Sequence, residues 1–194
     1  MTLEVRSDVV TIVSGLPRSG TSMMMRMLEA GGLAVLVDGI REPDDDNPQG
    51  YYEFERVKKV KEDQAWLDDA RGKVVKMVSA LLVDLPRCYP YRVVFMRRRM
   101  EEILASQRRM LLRNAKPWSD EDDAKMTGLY QAHLKQIEGW IARQRRLSAL
   151  YVSYNDLLAS PQEHARRVDA FLGGGLDVSR MASVVDRALY RQKV

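Results

Sequence analysis

The 194-residue chain is predicted to form an α/β fold of three layers, with helices on both faces of a central parallel sheet of about five strands. Short apolar or β-branched runs alternate with longer segments of helical periodicity, which is typical of a parallel sheet covered on both faces. Glycine pairs and triplets punctuate these segments. The chain shows neither internal repeats nor a linker, so residues 1–194 are predicted to be a single domain.

Each predicted element follows from a local pattern. The β-branched run 9–14 predicts a strand. The segment 20–30 predicts a helix, because its methionines and Leu28 share one face and two glycines end it. Further short buried strands are expected at 33–37, 74–78, 91–96 and 150–153. Further helices are expected at 53–69, 99–113, 121–147, 160–172 and 179–190.

Two of the later helices carry clear sequence signals. The helix at 121–147 has an apolar stripe at helical spacing, formed by Leu134, Ile137, Trp140 and Ile141. The helix at 160–172 begins with Ser160 before Pro161, a favoured N-cap and first-turn pair. The two signals support helices over these two segments.

Composition limits the classes of protein. Hydrophobic residues make up 45% and charged residues 30%, an ordinary globular balance. The net charge of +4 suits a small polyanionic ligand. We therefore expect a small-molecule acceptor as partner, and neither nucleic acid nor a membrane. A homodimer is a possible assembly. Cys88 is the only cysteine, and charges interrupt the first residues. These features favour a reducing, cytoplasmic location without a signal peptide.

Residues 9–22, VVTIVSGLPRSGTS, are the most informative segment. A predicted strand runs into a glycine loop that opens directly into a helix, an arrangement that binds phosphate through backbone N–H groups. Gly15 and Gly20 have the spacing of the P-loop pattern G-x-x-x-x-G-K-[ST]. The lysine position holds Thr21, and the basic residue is Arg18 within the loop. This departure is unfavourable for an ATPase or GTPase, which needs that lysine on its phosphates.

Two motifs resemble those of the sulfotransferases that use 3′-phosphoadenosine 5′-phosphosulfate (PAPS). The segment 17–22, PRSGTS, resembles the 5′-phosphosulfate loop of that family. Arg98 at the end of a predicted strand, with Ser106 eight positions later in a helix, resembles the family's 3′-phosphate motif. A weaker similarity is the FLG at 171–173. The resemblance implies a P-loop-type fold like that of the small cytoplasmic bacterial members.

The resemblance also implies a donor site and a reaction. The residues that it implies in PAPS binding are Arg18, Ser19, Gly20, Thr21, Ser22, Arg98 and Ser106. Arg18 is the cation expected to neutralise charge on the leaving phosphate, because a guanidinium stays charged and binds at two points. Arg97 is an alternative to Arg98 for the 3′-phosphate. The implied mechanism requires no metal, and the acidic run 44–46 is interpreted as a solvated loop.

The expected general base differs from that of the cytosolic family members, which have Lys-Thr-His at a strand end. Here Lys76 matches the lysine and is assigned a catalytic role, whereas Val78 stands at the histidine position. The two histidines, His133 and His164, lie in predicted helices outside the motifs and are interpreted as surface or packing residues.

A carboxylate is therefore expected to act as the base. The segment 47–53, NPQGYYE, resembles a stretch of small bacterial sulfotransferases, so Glu53 is ranked first. Glu42 is ranked second, and Asp38 is a weaker candidate. For both glutamates a helix cap or a solvated loop is the alternative role. Either a place in an acceptor pocket or a packing role is expected for four aromatic residues, namely Tyr51, Tyr52, Trp66 and Trp118.

Three functional classes follow from these observations. The favoured one is sulfuryl transfer from PAPS to a hydroxyl or amine of an unidentified acceptor. The second is a P-loop nucleotide kinase or hydrolase, which Thr21 at the lysine position disfavours. The third is a catalytically inactive nucleotide-binding relative, which the missing histidine at Val78 keeps open.

Overall fold

The computed structural model describes residues 8–40 and 50–186. Within them the chain forms a parallel sheet of four strands in the order β2-β1-β3-β4. The strands are β1 (Val10–Gly15), β2 (Val74–Val78), β3 (Tyr91–Arg97) and β4 (Leu147–Ser153). In the central strand β1, Gly15 pairs with Val78 on one side and with Met96 on the other. The predicted α/β class with a parallel sheet is confirmed.

Helices connect and cover these strands. They are α1 (Thr21–Ala30), α2 (Trp66–Asp69), α3 (Met100–Arg113), α4 (Asp120–Ile141), α5 (Tyr154–Ala159), α6 (Pro161–Leu172) and α7 (Val178–Ser183). Two 3₁₀ segments, Glu55–Lys59 and Ser79–Asp84, complete the connections. In the part of the chain that the structure describes, no helix combines the length and the apolarity needed to cross a bilayer.

The strands bury side chains on both faces, which produces the three predicted layers. Ile12 of β1 belongs to a cluster that includes Ile137 of α4, whereas its neighbour Val13 belongs to a cluster with Met24 of α1 and Val168 of α6. Alternate residues of a strand point to opposite faces, so consecutive residues of β1 contribute to the two cores. Continuous burial of all six residues of β1 follows from this arrangement.

The predicted strand at 33–37 is wrong, which is why the sheet has four strands here rather than about five. The segment contacts β2 through one bridge, between Val35 and Val74. Two backbone hydrogen bonds to Val74 hold it, and then Asp38 donates its N–H to Glu53 instead. The chain is thereby drawn away from the sheet edge toward the residues that follow Gly50.

The predicted helix at 53–69 is also wrong. It is replaced by the 3₁₀ segment Glu55–Lys59 and by the short α2. Asp63 interrupts any continuous helix, because its carboxylate accepts from the N–H of Ala65 and from the guanidinium of Arg56. Local side-chain hydrogen bonds of this kind compete with helical backbone hydrogen bonds.

The boundaries of the later helices and strands differ less from the predicted ones. Helix α4 ends at Ile141 and β4 already begins at Leu147, because residues 147–149 pair with the start of β3. Helix α5 was not predicted; it begins where the hydroxyl of Ser153 accepts the N–H of Asp156. Helices α3 and α6 start within one residue of the predicted positions. The predicted helix at 179–190 is shorter within the described residues, and its last four positions lie outside them.

Candidate functional site

The glycine loop lies at the carboxyl ends of the parallel strands. It connects the end of β1 at Gly15 to the start of α1 at Thr21. Arg98 follows the end of the neighbouring strand β3, and Tyr154 follows the end of β4. Open parallel sheets bind ligands at this edge, because the loops that follow adjacent strands converge there.

The loop backbone requires glycine at two positions. Gly20 has a φ of 96°, and a Cβ on it would lie 2.3 Å from the ring of Tyr154. Gly15 has a φ of 148°, and a Cβ there would lie 2.6 Å from the carbonyl oxygen of Met96. The backbone of Arg18 also adopts the left-handed conformation, with a φ of 69°, although the residue is not glycine. Such backbone strain is frequent at functional sites.

The two predicted phosphate motifs meet in space. Nε of Arg18 donates a hydrogen bond of 2.8 Å to the hydroxyl of Ser106, 88 positions away. Nη1 of Arg98 donates a hydrogen bond of 3.1 Å to the carbonyl of Arg18. The structure thus joins both arginines and the serine of the separate motifs into one cluster.

Buried partners hold Arg98 in place. Its Nε donates to Glu102 at 2.8 Å, and Glu102 is fully buried. The other carboxylate oxygen of Glu102 accepts a 2.7 Å hydrogen bond from the amide of Asn155. The guanidinium also lies 4.5 Å from the ring centre of Tyr154. Buried charges are retained where partners and hydrogen bonds compensate them, so these contacts fix the orientation of Arg98.

Sequence reasoning missed Glu102, Tyr154 and Asn155. The four-residue spacing from Arg98 to Glu102 within a helix was a usable signal for the first. The other two follow directly after β4, whose end at residue 153 was predicted, so their place among the converging strand ends was a usable signal as well.

Arg97 and Arg98 have different surroundings. Arg97 pairs with Glu138 at 2.6 Å and lies 4.2 Å from the ring centre of Tyr151, with its side chain 47% exposed. The side chain of Arg98 is 8% exposed and contacts the glycine loop. Between the two arginines, Arg98 is therefore the one in the phosphate-motif cluster.

Two serine hydroxyls in or next to the glycine loop are buried without a hydrogen-bond partner among the described residues. They belong to Ser19 in the glycine loop and to Ser14 at the end of β1. A buried polar group without a partner is costly, and one reason to retain it is a ligand that the group binds. The assignment of Ser19 to the donor site stays a prediction, to which its buried hydroxyl gives support.

A second cluster forms around Lys76 of β2. Its ammonium group donates to the carbonyl of Tyr51 and, at 3.5 Å, to the hydroxyl of Ser22. The carboxylate of Glu53 lies 4.0 Å from Lys76 on one side and 4.0 Å from Lys58 on the other. Lys76 and Glu53 were predicted from different segments, and the structure brings them together next to Ser22 in the first turn of α1.

Tyr52 lies between Tyr51 and Glu53, two residues that contact Lys76. It has a left-handed φ of 53° and turns its side chain toward α1, where its hydroxyl donates to Glu29 at 2.5 Å. Burial and this hydrogen bond raise the pKa of the Tyr52 phenol. The turn at Tyr52 lets the carbonyl of Tyr51 and the carboxylate of Glu53 approach the same ammonium group.

Not all predicted site residues are found here. Trp66 is fully buried in the core, where it packs edge-on against Phe54, so its role is packing rather than lining an acceptor pocket. Tyr51 is also buried, whereas Trp118 is half-buried and donates to Asp123 at 2.6 Å. Glu42 and the acidic run 44–46 lie outside the described residues.

The histidines differ from each other. His164 is buried on α6, and its Nδ1 lies 3.1 Å from the carbonyl of Ser160, as expected for a packing residue. Nε2 of His133 lies 2.8 Å from the hydroxyl of Ser79, directly after β2. Burial lowers the pKa of His133. His133 lies in a helix as predicted, and there it contacts the residue that follows β2.

No group of three or more histidine, cysteine, aspartate or glutamate residues in 8–40 and 50–186 could hold a metal ion. The two clusters described above each hold one carboxylate, that of Glu102 or Glu53, among cations, hydroxyls and backbone groups. Such groups bind and stabilise an anionic ligand.

Comparison with known proteins identifies the family of the chain. No curated protein matches the sequence. A model of the sulfotransferase family matches residues 51–177, which is more than half of the chain. The matched segment includes Lys76, Arg98 and Ser106 but begins after the glycine loop, so the loop supports the assignment independently. The chain belongs to the sulfotransferase family.

Proposed function

We propose that this protein transfers a sulfuryl group from PAPS to a hydroxyl or amine of an acceptor. The observation that carries the proposal is the contact between the two phosphate motifs, in which Arg18 Nε lies 2.8 Å from Ser106 Oγ. A donor with phosphates at both its 5′ and 3′ positions needs two anion sites within the length of one nucleotide. A nucleotide without a 3′-phosphate, such as ATP, needs only the glycine loop.

The glycine loop would bind the 5′-phosphosulfate. Gly20, Thr21 and Ser22 open helix α1, whose N-terminus adds partial positive charge. The buried hydroxyl of Ser19 offers a further donor. Arg98 and Ser106 would bind the 3′-phosphate, since Glu102 and Asn155 already orient Arg98.

The reaction would be an in-line displacement at sulfur. The acceptor oxygen or nitrogen attacks sulfur, and the bond from sulfur to the bridging oxygen of the 5′-phosphate breaks with its electron pair. Arg18 and Lys76 stabilise the charge that appears on the leaving phosphate. Glu53 takes the acceptor proton, so the products are the sulfated acceptor and 3′-phosphoadenosine 5′-phosphate (PAP).

An inactive nucleotide-binding relative is the competing proposal. Val78 supports it, because it is 44% exposed at the strand end where cytosolic members have histidine. Lys76 and Glu53 argue against it, since they lie 4.0 Å apart and Lys76 contacts Ser22 in the first turn of α1.

Nucleotide selectivity tests the donor assignment. At equal concentrations PAP is expected to raise the melting temperature more than AMP or ATP, because only PAP occupies the 3′-phosphate site. Ligand linkage gives about 2.7 kcal/mol of stabilisation at a hundredfold excess over Kd, which a thermal shift assay detects readily. Equal shifts with PAP and AMP would remove the basis for a PAPS site, and a larger shift with ATP would favour the kinase alternative.

A further inference from the structure

The loop that carries Glu53 belongs to neither a helix nor a strand. It comprises residues 51–54, between Gly50 and the 3₁₀ segment that begins at Glu55. No repeating backbone pattern therefore fixes the carboxylate of Glu53, although it lies 4.0 Å from the ammonium group of Lys76. The position of this loop depends on its contacts with neighbouring parts of the chain, which hold it on both sides.

The side of the loop after Glu53 is held by Asp38. The N–H of Asp38 donates to the carbonyl of Glu53 at 3.2 Å, and its carboxylate accepts the N–H of Glu55 at 2.5 Å. The second oxygen of the same carboxylate accepts the N–H of Ile40 at 3.1 Å. Both carboxylate oxygens of Asp38 therefore bind backbone groups, which fasten the loop to the segment that precedes it in the chain.

The side before Glu53 is held by Tyr52. Its phenol donates a hydrogen bond of 2.5 Å to the carboxylate of Glu29, and its ring packs against the cluster that contains Met24 and Met27 of α1. The backbone of Tyr52 has a φ of 53°, a left-handed conformation that a residue with a Cβ seldom adopts unless its surroundings impose it. Burial and Glu29 raise the pKa of the phenol, so Tyr52 keeps the proton that it donates.

Helix α1 connects this anchor to the donor site. It begins at Thr21, directly after the glycine loop, and Glu29 lies in its last turn. The hydroxyl of Ser22 in the first turn donates to the carbonyl of Tyr51 at 3.4 Å, so the loop lies along the helix and contacts both of its ends. A general base must lie within hydrogen-bond reach of the proton that it accepts, and small displacements of it cost rate.

We propose that Tyr52 and Glu29 are positioning residues for the transfer reaction. Their hydrogen bond holds the loop along α1 and keeps the carboxylate of Glu53 beside Lys76 and the first turn of the helix. The proposal rests on the proposed function, because it requires that Glu53 accepts the proton of the acceptor. It gives Tyr52 a role through Glu53 rather than through contact with the acceptor.

Tyr52→Phe removes the hydroxyl alone and tests the proposal. The variant is expected to lower kcat about tenfold, because the base is no longer held, while the Kd for PAP and the KM for the acceptor stay unchanged. Glu29→Ala should have the same effect, and the double variant Tyr52→Phe/Glu29→Ala should be no slower than either single variant. Glu29→Gln keeps an oxygen that accepts from the phenol, so its kcat should lie close to that of the wild type.

Two comparisons show through which residue Tyr52 acts. In a Glu53→Gln background, Tyr52→Phe should cause no further loss of rate. Tyr89→Phe is the matched control, because Tyr89 precedes β3 at the opposite edge of the sheet and donates a phenol hydrogen bond of 3.0 Å to the carboxylate of Asp68. It should leave kcat unchanged. A raised KM for the acceptor at unchanged kcat in Tyr52→Phe, or an equal loss of rate in the Glu53→Gln background, would overturn the proposal.

Hydrogen exchange gives a readout that requires no turnover. The peptide that contains residues 51–55 should exchange its amide hydrogens faster in Tyr52→Phe than in the wild type, measured well below the melting temperatures of both proteins. Unchanged exchange would show that Tyr52 does not hold the loop and would overturn the proposal. A wild-type protein that transfers no sulfuryl group would instead contradict the proposed function, and the exchange rates would still show whether Tyr52 holds the loop.

Discussion

Glu53→Gln is expected to lower kcat by about 10²–10⁴-fold, the usual contribution of a general base. Glutamine keeps the shape of the side chain but cannot accept the acceptor's proton. The affinity for PAP should stay nearly unchanged, because the carboxylate faces Lys76 and Lys58 rather than the 3′-phosphate cluster. Transfer of ³⁵S from labelled PAPS to a panel of phenols, alcohols, sugars and amines measures kcat, and calorimetric titration with PAP measures the affinity.

Matched variants make this experiment decisive. Glu55→Gln removes an exposed carboxylate two residues away and should be close to neutral. His133→Ala and His164→Ala should also keep near-wild-type turnover. His133 is the more demanding control, because it contacts Ser79 directly after the strand that carries Lys76. A folded, PAP-binding His133→Ala variant without activity would show that the assignment of the base to Glu53 is wrong.

Arg18→Ala is expected to lower kcat about a hundredfold, which corresponds to roughly 3 kcal/mol of transition-state stabilisation. The guanidinium would no longer stabilise charge on the leaving phosphate. The variant should fold, because Arg18 lies in a loop. Alanine also carries a Cβ, so the substitution does not change the strain of the left-handed backbone at this position. Its melting temperature and its rate of ³⁵S transfer provide the two measurements.

Arg18→Lys is the matched control for charge. Lysine keeps the cation but cannot present the planar fork that reaches Ser106, so its rate should lie between those of the wild type and Arg18→Ala. Wild-type turnover in Arg18→Ala would contradict the assigned role. Equal loss in both variants would show that geometry, rather than charge, is what the reaction requires.

The residues of the phosphate-motif cluster were predictable where a motif contained them. The glycine loop and the Arg98–Ser106 spacing each indicated a phosphate site, and the fold places them at one edge of the sheet. The strand assignments 9–14, 74–78 and 91–96 were correct to within one residue, because each is a short run rich in apolar and β-branched residues. Periodicity and spacing are local properties, so they are readable without the structure.

Contacts set by tertiary structure were not predictable in the same way. The segment 33–37 has strand-like composition, but its backbone bonds to Val74 and then to Glu53, which composition does not specify. The apolar position of Trp66 indicated either a pocket or a core, and only packing against Phe54 decides for the core. The approach of His133 to Ser79 depends on how α4 lies across the sheet, and no motif contains both residues.

The 3′-phosphate contact is the central claim, and the ratio of the Kd values for AMP and PAP tests it most directly. Calorimetric titration of the wild type should give PAP at least about tenfold tighter binding than AMP, since hydrogen bonds to a charged group contribute more than 1.4 kcal/mol. In Ser106→Ala the affinity for PAP should fall while the affinity for AMP stays, so the ratio should shrink. Equal Kd values for PAP and AMP in the wild type, or a ratio unchanged in Ser106→Ala, would contradict the account.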